Sequence, residues 1–268
     1  MVSDGLYVIL YYVIEYRKDV VLQNLRNSFP NKTEAEIKKI RKDFYHYLCD
    51  LTLETFKTLT ISKSAMIKHC SFQLETLNLF NKLAEENKSI ILVMGHWGNW
   101  EWAGNSCSLL FKHQLYVIYH PLSNKYFDGL IYRMRTRFGT KLIPMKDTYK
   151  EMANKKDELN ATAFIADQTP SPEGAFWTTF LNQDTPIFKG TEKIAQRMNY
   201  PVVYGRVKRI KRGYYEISAE ILFENPAKTL PDEISKSHSK WLENDIIAHP
   251  EIWLWSHRRW KHRRPKEN

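Results

Sequence analysis

A chain of 268 residues with 43% hydrophobic residues is long and apolar enough for one generous packed domain, or a domain with a small helical appendage, and too apolar for wholesale disorder. Forty Lys and Arg against thirty Asp and Glu leave a formal charge of +10, which calls for an anionic partner: nucleic acid, acidic lipid or an acidic protein. Cys49, Cys70 and Cys107 lie far apart and are odd in number, so they give neither a disulfide framework nor a metal spacing and fit a reducing compartment.

No secretory signal is visible at the start. The run Leu6 to Ile14 holds about nine apolar residues, short of the roughly 20 that a spanning helix needs. Its tyrosines, followed by Arg17 and Lys18, suit either a membrane-interface segment or an element packed on the body. Phe29-Pro30-Asn31 is a turn, after which Thr33 and Glu36 form a capping box. The helix that follows buries Ile37, Ile40, Phe44, Tyr47, Leu48 and Leu51 at amphipathic spacing. A further helix is expected over Phe72 to Glu86.

Ser89 to Ala103 is the stretch that carries chemistry. Ile90 to Met94 is apolar without alternation, as in a strand covered on both faces of a parallel sheet, although so short a run also suits a buried helix. Gly95 and Gly98 punctuate it, and Asn99 is placed to cap a helix running to Leu110. His96 then sits just past the carboxyl end of a strand, where open α/β sheets bind ligands. On one straight helix His96 and Glu101 would point about 140° apart. Across a strand-turn-helix corner, Glu101 can instead accept a hydrogen bond from one ring nitrogen and leave the other as a general base. Amide N–H groups around Gly95 to Asn99 are candidates to cradle an oxyanion. The bland alternative is a histidine packed among tryptophans.

Beyond that helix, Leu115 to Tyr119 reads as a strand ending at His120-Pro121. Asn124 to Phe138 reads as a helix carrying Arg133 and Arg135, either phosphate clamps or an exposed basic face. Lys141 to Pro144 makes a short strand, and Thr148 to Asn154 a helix. Thr162 to Ala166 is another buried-type strand, which puts Asp167 and Gln168 at its carboxyl end; Asp167 there is either part of a site or a cap for the loop. Pro170, Pro172 and Gly174 mark that loop. Tyr200 to Tyr204 and Tyr214 to Leu222 are two later strands with a basic hairpin between them, and Pro231 to Ala248 is a terminal helix. In the tail, Arg258, Arg259, Lys261, Arg263, Arg264 and Lys266 interleave with Trp253, Trp255 and Trp260. That pattern suits an anionic membrane surface, nucleic acid or an acidic carrier protein. There is no C-x-x-C, H-E-x-x-H or G-x-S-x-G.

G-H-W-G-N-W-E, from Gly95 to Glu101, resembles the H-x4-D/E signature of glycerolipid acyltransferases, in the form seen in the late (lauroyl/myristoyl-type) acyltransferases of lipid A biosynthesis. Asn24 to Pro30, Asp167 to Gly174, Thr185 to Ala195 and Trp253 to Pro265 resemble that family's blocks in the right order, together covering nearly the whole chain. Phe176 to Leu181 and Thr185-Pro186 resemble the family's apolar loop ahead of a helix starting near Lys189, Gly190 and Thr191, and amides at such a helix start can hold an anion. The resemblance implies an α/β fold with a mixed, mainly parallel sheet flanked by helices. It implies an N-terminal membrane-proximal segment over 1–30 and an acyltransferase domain over 31–268. It implies acyl transfer from an acyl-carrier-protein thioester to a hydroxyl of a lipid A precursor at the cytoplasmic face of the bacterial inner membrane. His96 would be the base, oriented by Glu101. Gly95, Asn99, Arg133, Arg135, Asp167, Gln168, Lys189, Gly190 and Thr191 would bind substrate, and neither metal nor other cofactor is expected. Against the family's pattern the chain starts late, ahead of which a longer hydrophobic anchor is usual, and His120 stands where an arginine is usual. Two readings compete with this one. The first is the same chemistry on lysophospholipid, glycerol phosphate or an aminoacyl lipid. The second is a non-catalytic module that binds membranes or nucleic acid through its basic, Trp-rich surface; as an enzyme, the chain is expected to have no nucleic-acid partner.

Overall fold

The computed structural model describes residues 2–265; Lys266 of the basic tail lies outside them. The chain opens on α1 (Val2–Val8), a π-helical turn Ile9–Val13 and α2 (Lys18–Ser28). Tyr7 and Tyr11 are buried, with Tyr7 stacked on His46, while Val2, Val8, Ile9, Tyr12, Val13 and Ile14 remain exposed. The segment thus packs on the body through one face and leaves the other bare. Among the described residues, no helix is long and apolar enough to cross a membrane.

The long helix α3 (Glu34–Lys57) begins at the capping box read from the sequence: Thr33 N–H donates to Glu36, and Glu36 N–H to Thr33 Oγ1. Then come α4 (Lys63–His69), β1 (Cys70–Phe72) and α5 (Leu74–Glu85). The sequence predicts a helix from Phe72; that residue instead ends a three-residue edge strand held by pairing with a strand far along the chain. The central units follow as β2 (Ile90–Met94), α6 (Trp100–Leu110), β3 (Gln114–Tyr119), α7 (Lys125–Thr136), β4 (Lys141–Pro144), α8 (Thr148–Asn154) and β5 (Asn160–Ile165).

Phe176 to Pro186, expected to be a loop, folds as an antiparallel hairpin of β6 (Phe176–Phe180) and β7 (Gln183–Ile187), turned through positive φ at Leu181 and Asn182. The chain ends with α9 (Gly190–Met198), β8 (Val202–Lys211), β9 (Tyr214–Phe223) and α10 (Glu233–Ala248), then the tail.

Seven strands form one sheet in the order β1-β9-β8-β2-β5-β3-β4, parallel throughout except for the β8–β9 pair. This is the mixed, mainly parallel α/β sheet expected. Along β2 alternate residues face opposite ways. Ile91 and Val93 join a core with α3, α10 and the tail tryptophans. Ile90, Leu92 and Met94 face cores built from α4, α5 and α6. Both faces are covered, which is why β2 reads as an unbroken apolar run.

Candidate active site at the carboxyl ends of two central strands

β2 and β5 are parallel neighbours in register, with Met94 opposite Ile165. His96 and Asp167 each lie two residues past that pair, so equal overrun sets them side by side. Asp167 Oδ1 is 2.5 Å from His96 Nδ1, and Asp167 Oδ2 accepts both the His96 backbone N–H at 2.8 Å and the Trp253 indole N–H at 2.8 Å. Burial pushes the Asp167 carboxyl up, but the His96 ring and these hydrogen bonds outweigh it and hold the group well below the usual carboxylate range. The other ring nitrogen, Nε2, has the Gln168 side-chain amide 3.3 Å away, and the Trp100 ring packs edge-on against the imidazole.

The turn between β2 and α6 is built for close approach. Gly98 has a φ of 66°, and a Cβ there would fall 1.8 Å from the Val207 carbonyl oxygen, so only glycine fits. At Gly95 a Cβ would run into the Leu242 side chain and come 3.2 Å from Asp167 Oδ2. Asn99 caps α6 as read, accepting the Trp102 N–H at 2.9 Å. Its amide also donates to Glu54, a buried carboxylate that accepts from the Tyr215 hydroxyl as well. Asn99 is therefore taken up in joining α3, α6 and β9. The His96 and Gly98 amides, candidates for an oxyanion cradle, already donate to Asp167 and to the Ile252 carbonyl.

Glu101 occupies a different place from the one its spacing suggested. The carboxylate on the ring nitrogen of His96 is that of Asp167; Glu101 is held by both arms of Arg135, at 2.6 and 3.0 Å. The corner does bring Glu101 to the same side as His96, but the guanidinium reaching over from α7 takes its oxygens. Burial raises the Glu101 carboxyl, and Arg135 more than offsets this, so the net shift is downward, with the His96 ring adding to it.

His96, Glu101, Arg135 and Gln168 all line one cavity of about 480 Å3. From them it runs between the sheet and α5, α6 and α7, past Leu92, Ala163, Gly205 and Ala219 to Phe80 and Phe111. The space exists because small residues face one another: Ala163, Gly205 and Ala219 on the sheet, Ala103 and Gly104 on α6. Stacked Phe80 and Phe111, 3.9 Å between ring centroids, form an aromatic wall together with Phe72.

The remaining candidates lie away from this cavity. Arg133 is exposed on α7 and does not line it. Lys189 pairs with Asp232 at 2.7 Å, while Glu192 accepts the Asp232 and Ser235 N–H groups. The start of α9 is thus a junction with α10, and Lys189, Gly190 and Thr191 do not reach the cavity. In the tail, Trp253, Trp255 and Arg259 are buried rather than spread on a surface. That segment straps the site from below: Leu254 N–H donates to the His96 carbonyl, and Asn24 reaches the Trp255 and His257 carbonyls. Trp253 does not stand out as a site residue in the sequence, where tryptophans interleaved with basic residues suit a surface. Nor does buried His238, whose ring hydrogen-bonds the Met94 carbonyl and whose pKa burial lowers to about 4. No His, Cys, Asp or Glu cluster suited to a metal ion occurs among the described residues.

The family model for bacterial lipid A biosynthesis acyltransferases matches residues 2–262. Among curated proteins, the chain is similar to the lipid A biosynthesis palmitoleoyltransferase of Escherichia coli (strain K12), 21% identical over 254 residues that cover 93% of this chain and 80% of the relative. It is similar to the same extent to the lipid A biosynthesis acyltransferase of Shigella flexneri, at 21% identity and with the same coverage.

Proposed function

This chain belongs to the family of bacterial lipid A biosynthesis acyltransferases, and we propose that it moves a fatty acyl chain from an acyl-carrier-protein thioester to a hydroxyl of a lipid A precursor, with His96 as general base. The observation that carries the chemistry is a histidine with one ring nitrogen fixed by a buried carboxylate, at the polar end of an apolar cavity.

Asp167 accepts a hydrogen bond from the His96 Nδ1–H, which leaves the Nε2 lone pair for the acceptor hydroxyl. As that oxygen attacks the thioester carbonyl carbon, its proton passes to Nε2, and the imidazolium is stabilised by Asp167 at 2.5 Å and by Glu101 from farther off. Collapse of the tetrahedral intermediate breaks the C–S bond, and the proton on Nε2 goes to the departing thiolate. Neither a metal nor a covalent acyl-enzyme is needed. With two backbone amides of the turn committed, the Gln168 amide, 3.3 Å from Nε2, is a donor in place for the developing oxyanion; one such donor is worth about 10^2–10^3 in rate. Glu101 serves as a fixed negative charge held by Arg135 and not as the group that sets the ring tautomer.

The acyl chain would lie in the cavity, and the basic surface would attract both the acidic carrier protein and the phosphorylated lipid at the cytoplasmic face of the inner membrane. A second acceptor class follows from the sequence resemblance: His120, which lines the cavity at its exposed rim, stands where the resemblance implies an arginine, and lysophospholipid, glycerol phosphate or an aminoacyl lipid would use the same chemistry.

The test is transfer by purified protein from a panel of acyl-carrier-protein thioesters to detergent-dispersed lipid A precursor, with the other acceptors alongside, read by mass spectrometry. A gain of one acyl chain on the precursor supports the reading. A gain only on another acceptor moves the substrate and keeps the chemistry. No gain on any acceptor contradicts both.

A further inference from the structure

We propose that the outer wall of the cavity is a portal that seats on an anionic lipid surface, so that a lipid substrate passes between bilayer and cavity without crossing water. What enters rests on the acyltransferase reading; the docking itself does not. The wall consists of the loop around Leu122, helix α7 and the turn at Met145. Leu122, Phe127, Tyr132 and Met145 both line the cavity and stand 43–46% exposed. Beside them Tyr126 is 94% exposed. Apolar side chains that are continuous with an apolar cavity and open to water mark an interaction site, and tyrosine is a residue of the membrane interface.

The charge around this rim commits it to an anionic surface. Residues 120–150 carry seven Lys and Arg against two Asp, and Lys125, Arg133, Lys146 and Lys150 are exposed. Each such cation near an anionic bilayer strengthens binding about fivefold. An acidic protein would satisfy the cations but leave the aromatic rim without hydrocarbon to enter. The Glu101–Arg135 pair holds this wall to the catalytic floor, and Met134, next to Arg135 on α7, is buried.

The experiment places an environment-sensitive fluorophore on Tyr126→Cys; the native Cys49, Cys70 and Cys107 are buried, so labelling is selective. Labelled protein is mixed with phosphatidylglycerol-containing vesicles, with pure phosphatidylcholine vesicles, and with vesicles whose acyl chains are brominated. A blue shift and bromine quenching on the anionic vesicles are expected, with neither for a label at Asn81→Cys on α5. Arg133→Glu with Lys146→Glu should weaken vesicle binding about tenfold or more. A Tyr126 label that stays in water on vesicles the protein has bound would overturn the portal, as would one that responds only to acyl carrier protein. Transfer in detergent, measured on the same labelled protein, separates the two proposals: transfer with a label that never inserts retires the portal alone, and insertion without transfer to any acceptor retires the acyltransferase reading alone.

Discussion

His96 and Asp167 are 71 residues apart in the chain, and their side chains meet at 2.5 Å because β2 and β5 end in register. Asp167→Asn keeps the shape but removes the charge and can present an amide N–H to Nδ1, which forces the wrong tautomer. Turnover is expected to fall about 10^3–10^4-fold with little change in KM, and thermal melting to stay near that of the wild type. His96→Ala is expected to abolish transfer. Steady-state kinetics beside a melting curve checks both.

Glu101 and Arg135 are a mostly buried pair, so removing one partner strands the other. Glu101→Gln and Arg135→Gln should each destabilise by about 3 kcal/mol, and the double variant by less than the sum. Denaturant unfolding of the four proteins measures the coupling. Under the proposed chemistry, Glu101→Gln also slows transfer, by less than Asp167→Asn does. The opposite order would return the orienting role to Glu101.

The aromatic wall of Phe72, Phe80 and Phe111 sets the depth of the cavity. Phe111→Ala is expected to move donor preference towards longer acyl chains, and Ala219→Phe, which fills the middle of the space, towards shorter ones. Competition among thioesters of graded length, read as product ratios, tests this. Unchanged ratios in both variants would show that the chain lies elsewhere.

Burial pushes the His238 pKa down from the ordinary 6.5 to about 4. Between those values the unfolded chain binds the extra proton, so stability is full above about pH 6.5 and falls with acidification, at about 1.4 kcal/mol per pH unit for that proton. His238→Gln should remove that share of the slope between pH 6.5 and 4 and leave the share of His257, whose pKa burial likewise lowers to about 4. Unfolding curves across that range check it.

How much of this was legible in the sequence follows from how local each signal is. The capping box at Thr33, the cap at Asn99 and the unbroken apolar run of β2 depend on neighbours within a few residues, and each was readable. Placing His96 and Asp167 both at strand ends was readable too, one residue at a time. Their contact was not, because strand order and register are long-range facts. For the same reason the eye went to Glu101, the carboxylate near in sequence, while Arg135 arrived from another helix to claim it. The tail failed differently: Trp and Arg interleaved read as a surface, yet Trp255 lies against Phe29 and Asn24 in the core. Trp255→Ala should accordingly cost about 3–5 kcal/mol of stability.

The most direct test of the account is acyl transfer to the lipid A precursor by three proteins side by side: wild type, His96→Ala and Asp167→Asn. Mass spectrometry reads the product, and melting curves certify that all three fold. One added acyl chain is expected with the wild type, none with His96→Ala, and a trace with Asp167→Asn. Near-normal product from a folded His96→Ala would contradict it.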